Sequence, residues 1–241
     1  MGIWVVGAIA LQILGATALQ LASLGSSFAA GPGLPEGGNY AHIFASRLAA
    51  NLTDLSVSGS TLLNINSQIA GIPGDADLIT VTSGGNDLGY VGGLTKDSDG
   101  GHAADPSISE QTLVNRFNSA LTQIHTQAPS AKIYLVEYLT ILGPDVTPLS
   151  KDVPFNAERV EHHRGVAATL QRATAQAAEG KAWVERIPVA QASQRNGVGS
   201  AIPWINGNPG STTNGAAWHP TAAGMNAVAN MLYEKARQRP E

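Results

Sequence analysis

Short apolar runs rich in β-branched residues alternate with amphipathic stretches along most of the chain. The runs "LQLASL" (19–24), "LTDLSVSG" (52–59), "ADLITVT" (76–82), "AKIYLVEYL" (131–139) and "KAWVERIPV" (181–189) read as five strands. Between them the apolar positions recur at helical spacing. "NYAHIFASRLAAN" (39–51) sets Tyr40, Ile43, Phe44 and Leu48 on one face. Ser107-x-x-Glu110 fits a capping box that opens a helix to about Gln127. An Ala-rich helix follows Asn156 and stops at Gly180, and a last helix begins beside Pro220. Two stretches read as loops: the polar, Gly-rich run from Gly92 to Pro106, and "GPDVTPLSKDVP" (143–154), with its three prolines.

Strands that alternate with helices predict βαβ units, hence an α/β fold with a mostly parallel sheet covered on both faces. In such sheets ligands bind beyond the carboxyl ends of the strands. The strand exits are therefore the places to look for chemistry: Gly25–Ser27, Ser58–Ser60, Gly84–Asp87 and the late loop that holds His219. No internal repeat or linker is visible, so residues 19–241 read as one domain behind an N-terminal segment, 1–18.

Composition narrows this picture. A chain of 241 residues that is 43% hydrophobic and 13% charged can build a sizeable core. The net charge of −4 comes with no Lys/Arg run, which argues against a nucleic-acid partner. There is no Cys, so disulfides, thiolate chemistry and Cys-based zinc sites are excluded. Residues Ile3 to Leu24 carry no charge, and three readings compete for them: a secretory signal with an A-x-A site at Ala16–Ala18, a membrane anchor, or a buried segment feeding the first strand. Secretion is the reading carried forward, although no Lys or Arg precedes the apolar run.

The four exits offer a serine hydroxyl, a glycine N–H, an asparagine side chain and a histidine. Together these meet the needs of acyl transfer. A serine requires a base within hydrogen-bond reach, and the tetrahedral intermediate requires N–H donors aimed at its oxyanion. Other readings of the same residues fail. "GPG" lacks the spacing of a dinucleotide loop, and no G-K-[ST] occurs. Asp75, Asp77 and Asp87 do not form a metal-ligand spacing, and His162 and His163 diverge on a helix. No cofactor or metal is implied.

Taken in order, "GSSFAAG", Gly59 in "SVSGS", "GGND" and "WHP" resemble the four blocks of the SGNH, or GDSL-type, hydrolases, from about Leu19 to the C-terminal helix. The resemblance implies a flavodoxin-like, three-layer α/β/α sandwich and ester hydrolysis through an acyl-serine. It makes Ser27 the nucleophile and His219 the base. The backbone N–H groups of Ser27 and Gly59, with the Asn86 side chain, become the oxyanion hole.

Two positions depart from the family pattern. Ser26 stands where the first block often has Asp, and Ala216 stands three residues before His219, where the family usually places the third triad member. Some family members orient the imidazole with a main-chain carbonyl instead. The expectation is therefore a Ser27–His219 dyad oriented by the carbonyl of Ala216 and acting on a small-molecule, glycan or lipid ester. The missing Asp also motivates a rival: a catalytically inactive relative that binds a glycan or lipid.

Overall fold

The computed structural model describes residues 18–208 and 215–238. The predicted leader or anchor lies outside the described residues up to position 17. Among the described residues, no helix is long and apolar enough to cross a membrane.

Five strands form one sheet: β1 (Gln20–Gly25), β2 (Asn51–Asp54), β3 (Leu78–Thr82), β4 (Lys132–Val136) and β5 (Val184–Ile187). Every pairing is parallel and the order is β2-β1-β3-β4-β5. The central strands are buried almost throughout, as a sheet covered on both faces demands, while edge strand β2 is only partly buried. The helices are α1 (Ser27–Ala30), α2 (Tyr40–Leu48), α3 (Asn66–Ile69), α4 (Tyr90–Ser98), α5 (Glu110–Gln127), α6 (Ala157–Ala178), α7 (Val189–Ala192) and α8 (Ala222–Arg237). Helices α2 and α8 pack together in one layer, and α4, α5 and α6 are joined in the other. The chain leaves β1 outward to β2 and returns past it to β3, so strand order reverses between β1 and β3. Right-handed crossovers on either side of that reversal put their helices on opposite faces. The reversal also opens a crevice at the carboxyl ends of β1 and β3, the usual ligand position in this architecture.

Caps fix where the long helices start. The side chains of Asn39, Ser109, Asn156 and Thr221 each accept the N–H three residues on, at 3.0 to 3.1 Å. Helix α5 is thus capped by Ser109, not by the predicted Ser107. Glu110 becomes its first residue, and its carboxylate takes Arg172 of α6 at 2.8 Å instead of turning back to the chain.

Two other expectations are corrected. Residues 92–98 are not loop but most of α4. Its glycines are compatible with a helix because Gly93 meets α6 closely: a Cβ there would lie 3.2 Å from the His163 ring. At the end of α4 the buried Asp97 accepts the Ala103 N–H, Arg159 Nε and His163 Nε2, all within 2.8 Å. Burial pushes the Asp97 carboxyl up, but those three bonds and the Arg159 charge outweigh it and hold its pKa low. The second strand ends at Asp54, five residues before Gly59, because Asp54 Oδ1 accepts both the N–H and the hydroxyl of Ser56 and turns the chain.

Gly25 closes β1 against β3. Its φ is +139°, and a Cβ would sit 2.1 Å from the Thr82 carbonyl oxygen. Ser26 N–H donates to that same oxygen at 2.9 Å. Gly25→Ala should therefore destabilise the protein by about 3 kcal/mol through strain and overpacking. The thermal midpoint should fall by roughly 6–12 °C in calorimetry.

Candidate active site

The turn after β1 carries two adjacent serines with different surroundings. Ser26 is fully buried, and its Oγ lies 2.7 Å from the Tyr138 hydroxyl. Burial pushes the Tyr138 phenol up to about 12, so it stays a neutral partner. A carboxylate at position 26 would sit fully buried against that phenol, whereas a serine hydroxyl bonds to it without burying a charge. Ser27 is the first residue of α1 and is 7% exposed. Its N–H lies at a helix start, where no acceptor exists in a preceding turn.

Gln68, 3% exposed, holds this turn from behind. Its Oε1 accepts the Gly25 N–H at 2.8 Å, while its Nε2 donates to the Gly25 carbonyl and to Ser60 Oγ, both at 3.1 Å. Ser60 Oγ in turn donates to the Gly25 carbonyl at 3.0 Å. One amide therefore ties the serine turn to the loop that carries Gly59. Gly59 has φ +84°, and a Cβ there would meet nothing within 4 Å. Glycine is needed at 59 for its left-handed backbone, not for lack of room.

The β3 exit joins the same cluster. Asn86 donates one amide N–H to the Ser60 carbonyl at 2.9 Å. Asp87, whose side chain is fully buried, accepts the Leu62 N–H at 2.9 Å and Arg116 Nη1 at 2.8 Å. Asp87 thus braces the turn. Gly85 leaves space for Tyr138, whose ring would lie 2.7 Å from a Cβ at that position.

The histidine arrives on a loop stitched to the segment after α1. Ala216 N–H donates to the Pro32 carbonyl at 3.0 Å, and the lack of a side chain at Gly33 lets the Gly215–Ala216 backbone pass. The His219 ring lies 5.6 Å from the ring of Phe28, the residue after Ser27, and Phe28 stacks on Tyr138 at 4.2 Å. His219 Nδ1 is 2.7 Å from the carbonyl of Ala217. This corrects the expectation of Ala216, whose carbonyl accepts His219 N–H and Asn206 Nδ2 instead. The difference comes from Trp218. Its φ of +61° is rare for a bulky residue, and the fully buried indole, packed on Phe155 at 5.9 Å, holds it there. That left-handed turn brings the Ala217 carbonyl to the imidazole two residues on.

The Nδ1 partner is thus a carbonyl and not a carboxylate, which fixes Nδ1 as the protonated nitrogen and leaves Nε2 as the acceptor. Burial lowers the His219 pKa below the ordinary 6.5, against the smaller upward pull of the Ala217 carbonyl. Nε2 is buried and has no hydrogen-bond partner among the described residues, so it is not bonded to the Ser27 hydroxyl.

The predicted residues therefore gather in two linked groups at the β1/β3 crevice: Ser27, Gly59 and Asn86 around Gln68, and His219 beside Phe28. Gln68 and Tyr138 were not legible as site residues, since a glutamine in a polar stretch and a tyrosine ending a strand carry no motif. Among the described residues, no group of three or more His, Asp or Glu side chains could hold a metal ion.

The sequence profile of the GDSL-like lipase/acylhydrolase family matches residues 23–227. No curated protein matches the chain in sequence. Among solved structures, the chain is similar to phospholipase A1 from Streptomyces albidoflavus NA297, with a TM-score of 0.72 at 18% identity over 91% of this chain and 99% of that one. It is also similar to an extracellular lipase from Streptomyces rimosus, with a TM-score of 0.66 at 19% identity over 91% and 99%. A carbohydrate esterase family 2 enzyme from Corynascus thermopiles (Myceliophthora fergusii) gives a TM-score of 0.59 at 17% identity over 92% and 67%. At these identities the solved structures speak for the fold.

Replacing Gln68 by Met keeps its bulk but orphans the Gly25 N–H inside the protein and removes one of the three donors to the Gly25 carbonyl. Urea unfolding should show a loss of about 1–3 kcal/mol. A loss below about 0.5 kcal/mol would mean that the amide does not hold the turn.

Proposed function

The chain belongs to the GDSL-like lipase/acylhydrolase family, and on that premise we propose that it is a serine esterase that cleaves carboxylic esters through an acyl-enzyme on Ser27. One observation carries the reading: a buried imidazole whose Nδ1 is committed to the Ala217 carbonyl, leaving a free Nε2 on a loop stitched to the Ser27 segment.

In the proposed cycle His219 Nε2 takes the Ser27 proton as the hydroxyl oxygen attacks the ester carbonyl. The carbonyl π electrons move to oxygen, and that oxyanion is met by the N–H groups of Ser27 and Gly59 and by the Asn86 N–H not given to Ser60. Collapse expels the alcohol, which takes the proton from the imidazolium. Water then repeats the sequence on the acyl-serine and releases the acid. The Ala217 carbonyl does part of what a carboxylate does in a triad. It fixes tautomer and ring orientation, but it brings only a partial charge to the imidazolium. Substrates are small-molecule, glycan or lipid esters, a range supported by similarity to both lipases and a carbohydrate esterase. Secretion is the corresponding reading of the apolar N-terminus, supported by the likeness to an extracellular lipase.

Two outcomes test this function. Against a short-chain nitrophenyl ester, Ser27→Ala should lose at least about 10³-fold in kcat. Ser26→Ala, which loses one neutral hydrogen bond, should lose less than about tenfold. If the parent protein turns over no more ester than Ser27→Ala and neither exceeds the uncatalysed rate, the chain is a binding protein on this fold; equal rates above it would place the nucleophile elsewhere. The second outcome concerns pH. The base must be neutral, and burial places its pKa below 6.5, so kcat/KM should keep more than half its plateau at pH 6.5 and fall only in more acidic buffer. An acid limb with its midpoint above pH 6.5 contradicts this assignment of the base.

A further inference from the structure

We propose that His163 is a positioning residue for the base: held by Asp97 at the end of α4, it keeps Trp218 in its left-handed turn through Phe155 and so keeps the His219 ring oriented. The inference rests on the ester-hydrolase reading above.

The chain passes from the Asn86 turn directly into α4, where Tyr90 N–H donates to the Gly85 carbonyl at 3.0 Å, and α4 runs on past Asp97. There Asp97 Oδ2 accepts His163 Nε2–H at 2.7 Å and Arg159 Nε–H at 2.8 Å. His163 is 1% exposed and Asp97 5%. An aliphatic side chain would fill the space of that ring without a buried carboxylate beside it, so packing alone does not call for a histidine. What the bond adds is direction: it fixes the plane of the imidazole. The groups that face His163 are Asp97, His162 and Arg159. Burial holds its pKa below 6.5 against the pull of Asp97, so at neutral pH it is an uncharged ring that donates from Nε2.

This oriented ring is the first of three. Its centroid lies 5.4 Å from that of Phe155, which lies 5.9 Å from that of Trp218. The backbone around them is bound into one assembly. The Asp152 carbonyl accepts Asn208 N–H at 2.9 Å, the Gly207 carbonyl accepts Trp218 N–H at 3.3 Å, and Asn206 N–H donates to the His219 carbonyl at 2.9 Å. A bulky residue keeps a left-handed backbone only where its surroundings over-determine it. Here those surroundings are the 206–208 backbone on one side and the Phe155 ring on the other. If Phe155 shifts, Trp218 can relax, the Ala217 carbonyl leaves Nδ1, and water reaches the imidazole.

His163→Leu removes the bond to Asp97, and His163→Gln restores an N–H at the same reach. On a short-chain nitrophenyl ester, His163→Leu should lose at least about tenfold in kcat with KM changed less than about threefold, and His163→Gln should recover most of that loss. The acid limb of kcat/KM should also move up toward pH 6.5 in His163→Leu, because burial is the larger influence on His219 and is what water removes. A smaller folded fraction lowers the rate but leaves that midpoint in place. Phe155→Leu, which keeps the Asp97 bonds, is the second variant should the first fail to fold, and it should move the limb in the same direction. Proton–nitrogen correlation spectra of the histidine-labelled protein read the His219 tautomer without turnover. They should show Nδ1–H in the parent protein and in His163→Gln, and a mixture with Nε2–H in His163→Leu. Ester cleavage with the limb or the tautomer unmoved in the folded variants overturns the positioning role and leaves the esterase reading standing. A tautomer that shifts in His163→Leu, with no ester cleaved by the parent protein, supports the positioning role and overturns the esterase reading. Neither cleavage nor a shift overturns both.

Discussion

A single buried amide, that of Gln68, governs the geometry at the end of β1. It engages both the N–H and the carbonyl of Gly25, and through Ser60 it fixes the neighbouring loop to the same point. Buried polar groups must be paired or cost heavily, so this cluster has few alternative arrangements. The Thr82 carbonyl pins the turn on the sheet side, and the Tyr138 hydroxyl pins Ser26 from the opposite flank. Ser27 then needs no strong contact of its own to be held in place. It takes its position from a turn whose other groups are all committed.

The histidine is positioned by a different device. Trp218 fills the core so completely that its left-handed backbone persists, and that conformation delivers the Ala217 carbonyl to Nδ1. Helices α4 and α6 back this region, with Phe155 between the Trp218 and His163 rings and the buried Asp97–His163–Arg159 cluster behind it. With a neutral carbonyl in place of a carboxylate, burial becomes the dominant influence on the imidazole and favours its uncharged form. In the proposed cycle this base starts deprotonated at neutral pH, and the imidazolium it would form has less support than in a triad.

The strand–helix alternation was legible because apolar periodicity and glycine exits report backbone geometry directly, and five strands and the long helices lie where those patterns fall. Misreadings arose where tertiary contacts decided. Glycines 92 and 93 suggested a loop, yet Gly93 serves a close helix–helix approach. The capping-box spacing favoured Ser107, yet Ser109 caps the helix while Glu110 turns to Arg172. Ala216 and Ala217 cannot be told apart as carbonyl donors of orientation until the backbone at Trp218 is known. Motif spacing led to Ser27, Gly59, Asn86 and His219, but no spacing rule points to Gln68, whose amide bonds to main-chain atoms of Gly25, 43 residues away, as well as to the Ser60 hydroxyl.

The central claim is that Ser27 attacks while three N–H groups from separate loops converge on one oxygen. A crystal structure of the protein after reaction with a phosphonate ester tests it most directly. The account predicts phosphorus bonded to Ser27 Oγ, with the phosphoryl oxygen about 2.7–3.1 Å from Ser27 N, Gly59 N and Asn86 Nδ2, and His219 Nε2 facing the bonded oxygen. Phosphorus on Ser26, or a phosphoryl oxygen turned to solvent away from Gly59 and Asn86, would contradict it.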